Sequence, residues 1–185
     1  MEGAHFLKTG DLLKLSEQQF VDCDTKSKGC DGGLESYAYQ YAKKNPIELE
    51  KDYQYKGENN DCKAQESKEI VQATTYHNVR KWSNAQLKAS IALLPTSVSV
   101  NASPITWTLY KGGIYSDSVK TTSRDLDHAV VAVGYGSENG QDYWIVRNSW
   151  GTDWGEGGYI RLANDGKNGS GMDGILLDAS RPETN

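Results

Sequence analysis

The run Leu126-Asp127-His128-Ala129-Val130-Val131-Ala132-Val133-Gly134-Tyr135-Gly136 and the later run NSWGTDWGEGGY, residues 148–159, decide how this chain is read. Ala129–Gly134, Tyr143–Arg147 and Gly158–Leu162 are rich in the β-branched and aromatic residues that favour strands, as is Ser97–Val100 upstream. Asn139-Gly140 stands between the first two of these runs, and that dipeptide is a strong hairpin turn signal. The later half therefore predicts an antiparallel β unit.

The earlier half reads differently. Residues 1–8 resemble the end of a helix, with Thr9-Gly10 as its stop and no N-cap ahead of it. Ser16 and Gln19 fit a capping box for a second helix, with Leu15 as a staple. Leu34 to Lys44 is amphipathic and predicts a third, ended by Asn45-Pro46. Between the last two lies KGCDGG, residues 28–33, whose adjacent glycines permit backbone shapes closed to other residues. Tyr53 to Lys68 is polar and turn-rich, Ile70 to Val79 alternates like a strand, and Ser83 caps a short helix through Leu94. The fold class is α+β in two lobes, helices first and strands second, with the change of character near residues 68–82.

A chain of 185 residues with 37% hydrophobic content can bury a substantial core. No run approaches the roughly 18 apolar residues of a membrane span. The net charge of −5, with both signs interspersed, argues against nucleic acid, which attracts a basic face. Nineteen glycines and eighteen aromatics (two Phe, five Trp, eleven Tyr) against four prolines suggest a loop-rich β component with large packed side chains. The three cysteines, Cys23, Cys30 and Cys62, leave one thiol unpaired or paired outside the chain. Two sequons, Asn101-Ala102-Ser103 and Asn168-Gly169-Ser170, fit an extracellular or vesicular protein, though Pro104 makes the first a poorer acceptor. The N-terminus MEGAHFLKTGD lacks the apolar core of a signal peptide. A missing N-terminal segment would reconcile these signs.

His128 and Asn148 carry the chemistry. An imidazole that moves protons needs a partner to hold one ring nitrogen, and an asparagine oxygen does this without adding charge. His5 and His77 have no such company in the sequence.

With LSEQQFVDC, GCDGG, LDHAVVAVGYG, NSWGTDWGEGGYIRL and GMDGI in order across nearly its whole length, the chain resembles the papain-family, cathepsin L-like cysteine proteases. The resemblance implies a mostly helical left lobe (residues 1–75, lacking its N-terminal part) and an antiparallel β-barrel right lobe (residues 76–185). It implies hydrolysis of peptide bonds through a thiolate–imidazolium pair and an acyl-thioester. His128 matches the catalytic imidazole and Asn148 the residue that holds it. Trp150 matches the indole covering their bond, and Trp154 an aromatic on the leaving-group side. Gly32 and Gly33 match backbone that pairs with an extended peptide. Leu34, Ser99, Ala129 and Asp178 match the pocket for the second residue upstream of the cut, and Asp127 is counted with the substrate-binding positions. Cys23 and Cys62 match one family disulfide, and Cys30 half of another. Asp173 stands where the family usually has a half-cystine.

The family's nucleophile lies roughly 130–150 residues before its His and Asn. Counting back from His128 runs past Met1, so a C-G-S-C-W block is expected upstream and the chain as written is expected to be inactive. The implied partners are peptide and protein substrates, cystatin-like inhibitors and the family's own propeptide, for a monomer without nucleic acid or membrane. No metal or cofactor is expected. The implied location of the full-length parent is lysosomal, vacuolar or extracellular. Two other readings compete: a non-catalytic papain-like module that binds peptides or inhibitors, and a structural or carbohydrate-binding β protein built on the Trp/Gly-rich tail.

Overall fold

Helix α1 (Glu2–Thr9) stops where Gly10 turns left-handed at φ 85° and donates its N–H to Phe6 O. Helix α2 (Glu17–Cys23) starts at Ser16, whose Oγ accepts the Gln19 N–H at 2.9 Å. The reciprocal half of the expected capping box is not made. Ser16 N donates instead to Glu48 O, and the Gln19 amide turns inward to Pro46 O and to Glu48 N. Helix α3 is Glu35–Ala42, shorter at both ends than its amphipathic run. Strand β1 (Ile47–Glu48) pairs antiparallel with β2 (Glu69–Val71), and β3 (Ala73–Asn78) follows. The strand expected over Ile70–Val79 thus breaks at Gln72, because its backbone N–H and C=O are both taken by Asn185.

The computed structural model describes residues 1–185, the side chain of Glu69 excepted, and separates them into two units. Unit 1 is Met1–His77 with Pro182–Asn185, and unit 2 is Asn78–Arg181. The sequence reading carried the second lobe to residue 185. The last four residues belong to unit 1, where Lys8 Nζ donates to Thr184 O at 2.8 Å. Unit 1 has a small core of Leu15, Ala42, Ile47, Val71 and Ala73. Its polar stretch after Tyr53 is held by side chains from α2. Gln18 accepts from Lys56 N and donates to Glu58 O, while Asp22 takes Tyr53 Oη and Asn60 N. Buried amides satisfy a backbone that has little apolar surface to pack.

Unit 2 begins with α4 (Asn84–Leu93), capped by Ser83, whose Oγ accepts Gln86 N. There follow β4 (Thr96–Val100), α5 (Ile105–Thr108), β5 (Ile114–Tyr115), β6 (His128–Glu138), β7 (Gln141–Arg147), β8 (Tyr159–Asn164) and the first half of β9 (Ala179–Thr184), whose residues up to Arg181 belong to this unit. Within the unit the strand order is β9-β4-β6-β7-β8-β5. All pairs are antiparallel except β5 with β8. That parallel pair departs from the expected pattern because β5 and β8 are not joined by a hairpin; the β6–β7 hairpin lies between them in sequence. β6 and β7 turn at Asn139-Gly140, both left-handed at φ 51° and 80°, as a two-residue hairpin requires. Alternate residues of these strands (Val98, Val100, Val130, Ala132, Trp144, Val146, Ile160, Leu162) meet Leu87, Ile91 and Trp107 in the larger core. The short α5, β1 and β5 escaped the sequence reading, being too brief for any periodicity to register. Among the described residues no helix is long and apolar enough to cross a membrane.

Cys23 and Cys62 are joined by a disulfide across a sequence separation of 39, as the resemblance implied. Closing a loop of that length removes unfolded-chain entropy worth about 3–4 kcal/mol. Replacing both cysteines by alanine is expected to lower the denaturant midpoint of unit 1 by a corresponding amount. An unchanged midpoint would mean that the Gln18 and Asp22 hydrogen bonds alone secure the polar stretch.

Candidate active site

His128 opens β6 and Asn148 follows β7 directly. The two strands run antiparallel with Val131 opposite Arg147, so the start of one meets the end of the other. His128 Nε2 lies 2.8 Å from Asn148 Oδ1. The same oxygen accepts the Ser149 N–H at 2.7 Å, which fixes it as the carbonyl end of the amide. Nε2 must therefore carry the proton, leaving Nδ1 as the nitrogen free to exchange one. Asn148 is 8% exposed and its own N–H donates to Gly158 O. Its Nδ2 is buried without a protein partner among the described residues.

The imidazole rests on indoles. Trp150 stacks on His128 with ring centres 5.1 Å apart and planes 28° from parallel. At 42% exposure it is the outermost ring of the group. Trp154, expected on the leaving-group side, is only 8% exposed. It stacks on Trp107 at 5.9 Å, meets Trp150 edge to face at 5.2 Å, and donates Nε1–H to Trp107 O. It is part of the floor beneath the site. The turn that delivers both indoles needs Gly155, at φ 57°, where a Cβ would strike Tyr159 O and the Tyr110 ring.

Trp107 is the residue that sequence reasoning missed. It is fully buried, edge-on to His128 and to Trp150, each at 6.4 Å. Nothing in TWTLY distinguishes it from an ordinary core tryptophan. Its Nε1 donates to Asp173 Oδ2 at 2.6 Å. Asp173 is 1% exposed and left-handed (φ 50°), its C=O accepts Asn101 N, and its Oδ1 has no partner among the described residues.

The other expected positions fall in both units. In unit 2, Ser99 faces Ala129 across β4 and β6, and Ser99 N donates to Asp178 O at 3.0 Å, which brings these three together. Asp127 is engaged, its carboxylate holding Ala102 N and Ser103 Oγ at the entry to β6. In unit 1, Gly32, Gly33 and Leu34 are exposed in sequence just ahead of α3. A Cβ on Gly33 would collide with Ser27 Oγ. Cys30 is free and exposed. The two histidines of that unit are occupied elsewhere, His5 with Asn185 O and His77 with Glu183. Among the described residues no group of three or more His, Cys, Asp or Glu side chains could hold a metal ion.

The model of the family described as "Papain family cysteine protease" matches residues 1–177. Cysteine proteinase RD21A of Arabidopsis thaliana is 45% identical over 188 residues, covering 100% of this chain and 40% of that protein. Cysteine proteinase COT44 of Brassica napus is 45% identical over 185 residues, covering 98% of this chain and 56% of that one. This chain therefore spans about half, or less, of the length of these relatives. Among solved structures, the Carica candamarcensis cysteine protease CMS1MS2 in complex with E-64 superposes with a TM-score of 0.88 at 38% identity, covering 100% of this chain and 84% of that one.

Asp173 gives the floor a pH dependence. Burial, set only partly against the Trp107 hydrogen bond, pushes its carboxyl up from 3.8 to about 7. The folded protein thus holds this proton more tightly than the unfolded chain does. The stability that follows is fully present below pH 3.8 and is lost as pH rises through about 7. Asp173→Asn keeps an acceptor for Trp107 and cannot ionise. Thermal unfolding of wild type and variant between pH 4 and pH 8 should diverge, the wild type losing several degrees relative to the variant as pH rises. Parallel curves would show that Asp173 is ionised throughout.

Proposed function

Because the chain belongs to the papain family of cysteine proteases, we propose that it carries the proton-transfer half of a thiol peptidase site, with His128 as general acid–base and Asn148 as its orienter. The observation that supports this most is the bond from His128 Nε2 to Asn148 Oδ1, roofed by Trp150. With Nε2 committed, Nδ1 can hold the proton of a thiol and so maintain a thiolate–imidazolium pair. The thiolate attacks the peptide carbonyl carbon, the C–N bond breaks, and the proton on Nδ1 leaves with the amine. Water then attacks the thioester carbonyl, His128 takes its proton, and the acid and the thiol are released. An extended peptide would pair with the exposed backbone of Gly32 and Gly33.

None of the cysteines present is suited to be that thiol. Cys23 and Cys62 are bridged, and the two imidazoles that share unit 1 with the exposed Cys30 are engaged by Asn185 O and Glu183 instead. The chain as given should hydrolyse nothing. Turnover of a fluorogenic dipeptide that a thiol-directed inhibitor blocks, and that Cys30→Ser abolishes, would move the nucleophile to Cys30. In a longer form carrying a C-G-S-C-W segment ahead of Met1, turnover should appear and should fall on the order of 10³-fold or more in His128→Ala. A folded longer form without turnover would leave the non-catalytic binding module as the better reading. The disulfide supports a vacuolar or extracellular location, since such bonds persist in oxidising compartments.

Asp178 bears on specificity. It is half-buried beside Ser99 and Ala129, the small residues opposite each other on β4 and β6. A carboxylate at the end of a pocket with apolar walls pairs with a long cation whose stem fills those walls. The active longer form should therefore accept Arg or Lys as well as hydrophobic residues at the second position upstream of the cut. Asp178→Ala should reduce the Arg/Phe ratio of kcat/KM by about tenfold or more. An unchanged ratio would make Asp178 a bystander.

A further inference from the structure

Two sequons are present, and the fold treats them oppositely. Asn101 is 7% exposed, its Oδ1 accepting Ser103 N and its Nδ2 directed at Thr121 Oγ1. A sugar there would have to break the turn that leads out of β4. Asn168 lies exposed on the stretch after β8. Its Oδ1 accepts the Asn84 N–H at 3.2 Å, at the start of α4, which holds the amide by its oxygen rather than by Nδ2. Gly169 follows with no heavy atom within 4 Å of where a side chain would begin, so the chain beside the exposed acceptor is open.

Trp82 supplies the second observation. It lines the same open hollow as Asn168, together with Arg80, Lys81 and Ser83. Its backbone is left-handed (φ 59°), a conformation a bulky residue rarely adopts. The conformation is imposed from both sides, Trp82 N donating to Leu176 O at 2.7 Å and Trp82 O accepting Gly169 N at 3.2 Å. The indole is nevertheless 60% exposed, so the fold spends backbone strain and gains no core packing from this ring. Gly169 N ties the Trp82 backbone to the residue directly after the acceptor asparagine. A strained, pinned and outward-facing tryptophan marks a surface with something to hold.

We propose that Asn168 is an N-glycosylation site and that Trp82 is the platform on which the first sugar of its glycan packs. In the transfer, Asn168 Nδ2 loses a proton and bonds to the anomeric carbon of a polyprenyl-pyrophosphate-linked oligosaccharide, and the polyprenyl pyrophosphate leaves. The Asn84 N–H continues to hold Oδ1, because that oxygen takes no part in the new bond. The apolar face of the sugar ring then covers indole surface that would otherwise stay in water. Asn101 carries no glycan in the folded protein.

The test uses the full chain behind a secretion leader in a eukaryotic host. The secreted, folded protein should lose the mass of one glycan on treatment with an N-glycan amidase, with residue 168 then read as Asp. Asn168→Gln should abolish that loss and Asn101→Gln should leave it intact. If export fails, translation into microsomes reads the same mass shift. An unmodified Asn168, or an equal loss from Asn168→Gln, overturns the site. For the platform, removing the glycan should roughly double acrylamide quenching of the Trp82 emission, taken as the difference between wild type and Trp82→Phe. No change on removal overturns the packing even where the glycan is present.

Discussion

The two-residue turn at Asn139-Gly140 and the bulge between Ala132 and Gly134 together set the register of β6 against β7, and the site hangs on that register. Side chains alternate faces along a strand, so a slip of one residue would send Val130, Ala132, Trp144 and Val146 out of the core together. The same slip would pull the start of β6 away from the end of β7, where His128 meets Asn148. The left-handed Asn139 leads into a ladder that runs from Glu138 opposite Gln141 to Gly134 opposite Ile145 and, past the bulge, continues with Ala132 opposite Val146 and Val131 opposite Arg147. Asn148 N then extends the β7–β8 pairing by one bond, to Gly158 O. The orienting amide is thus held by backbone on one side and by Ser149 N on the other, before the imidazole contributes anything.

Below the imidazole, support passes from ring to ring and ends on a carboxyl. Trp150, Trp154 and Trp107 meet in stacked and edge-on pairs, geometries that suit the aromatic quadrupole. Trp107 is anchored by Asp173, at the place where the resemblance implies half a disulfide. A covalent tie is indifferent to pH in this range, whereas this hydrogen bond is not. Asp117 and Tyr115, the acidic groups that bear on Asp173, bring no cation to balance it. β4 offers no titratable side chain, and Arg161 on β8 is committed to Glu156 and Glu138. A neutral carboxyl can still accept from Trp107 and leaves Oδ1 with a smaller desolvation penalty than a bare anion would pay. The replacement favours acid.

What could be read in the sequence was what local rules determine. Ser16 and Ser83 cap helices because their hydroxyls reach the N–H three residues on, and Gly10 and Gly140 turn because glycine alone is unstrained there. His128 and Asn148 were legible because ordered motifs surround them. The misses have non-local causes. Gln72 breaks a strand because Asn185, from the far end of the chain, takes its backbone groups. The Gln19 side chain abandons its capping box for Glu48 and Pro46, which the sequence does not bring near. Trp107 acquires its role only through contacts with residues 128, 150, 154 and 173.

The division of labour within unit 2 bears on why a complete imidazole site would be kept at all. A peptide-binding surface gains nothing from a histidine whose one nitrogen is fixed while the other stays open. The buried amide, whose oxygen is shared between His128 Nε2 and Ser149 N, serves to fix the orientation of one ring. A ring held in this way suits the proposed role, in which Nδ1 keeps a constant direction while the imidazole switches between neutral and charged forms.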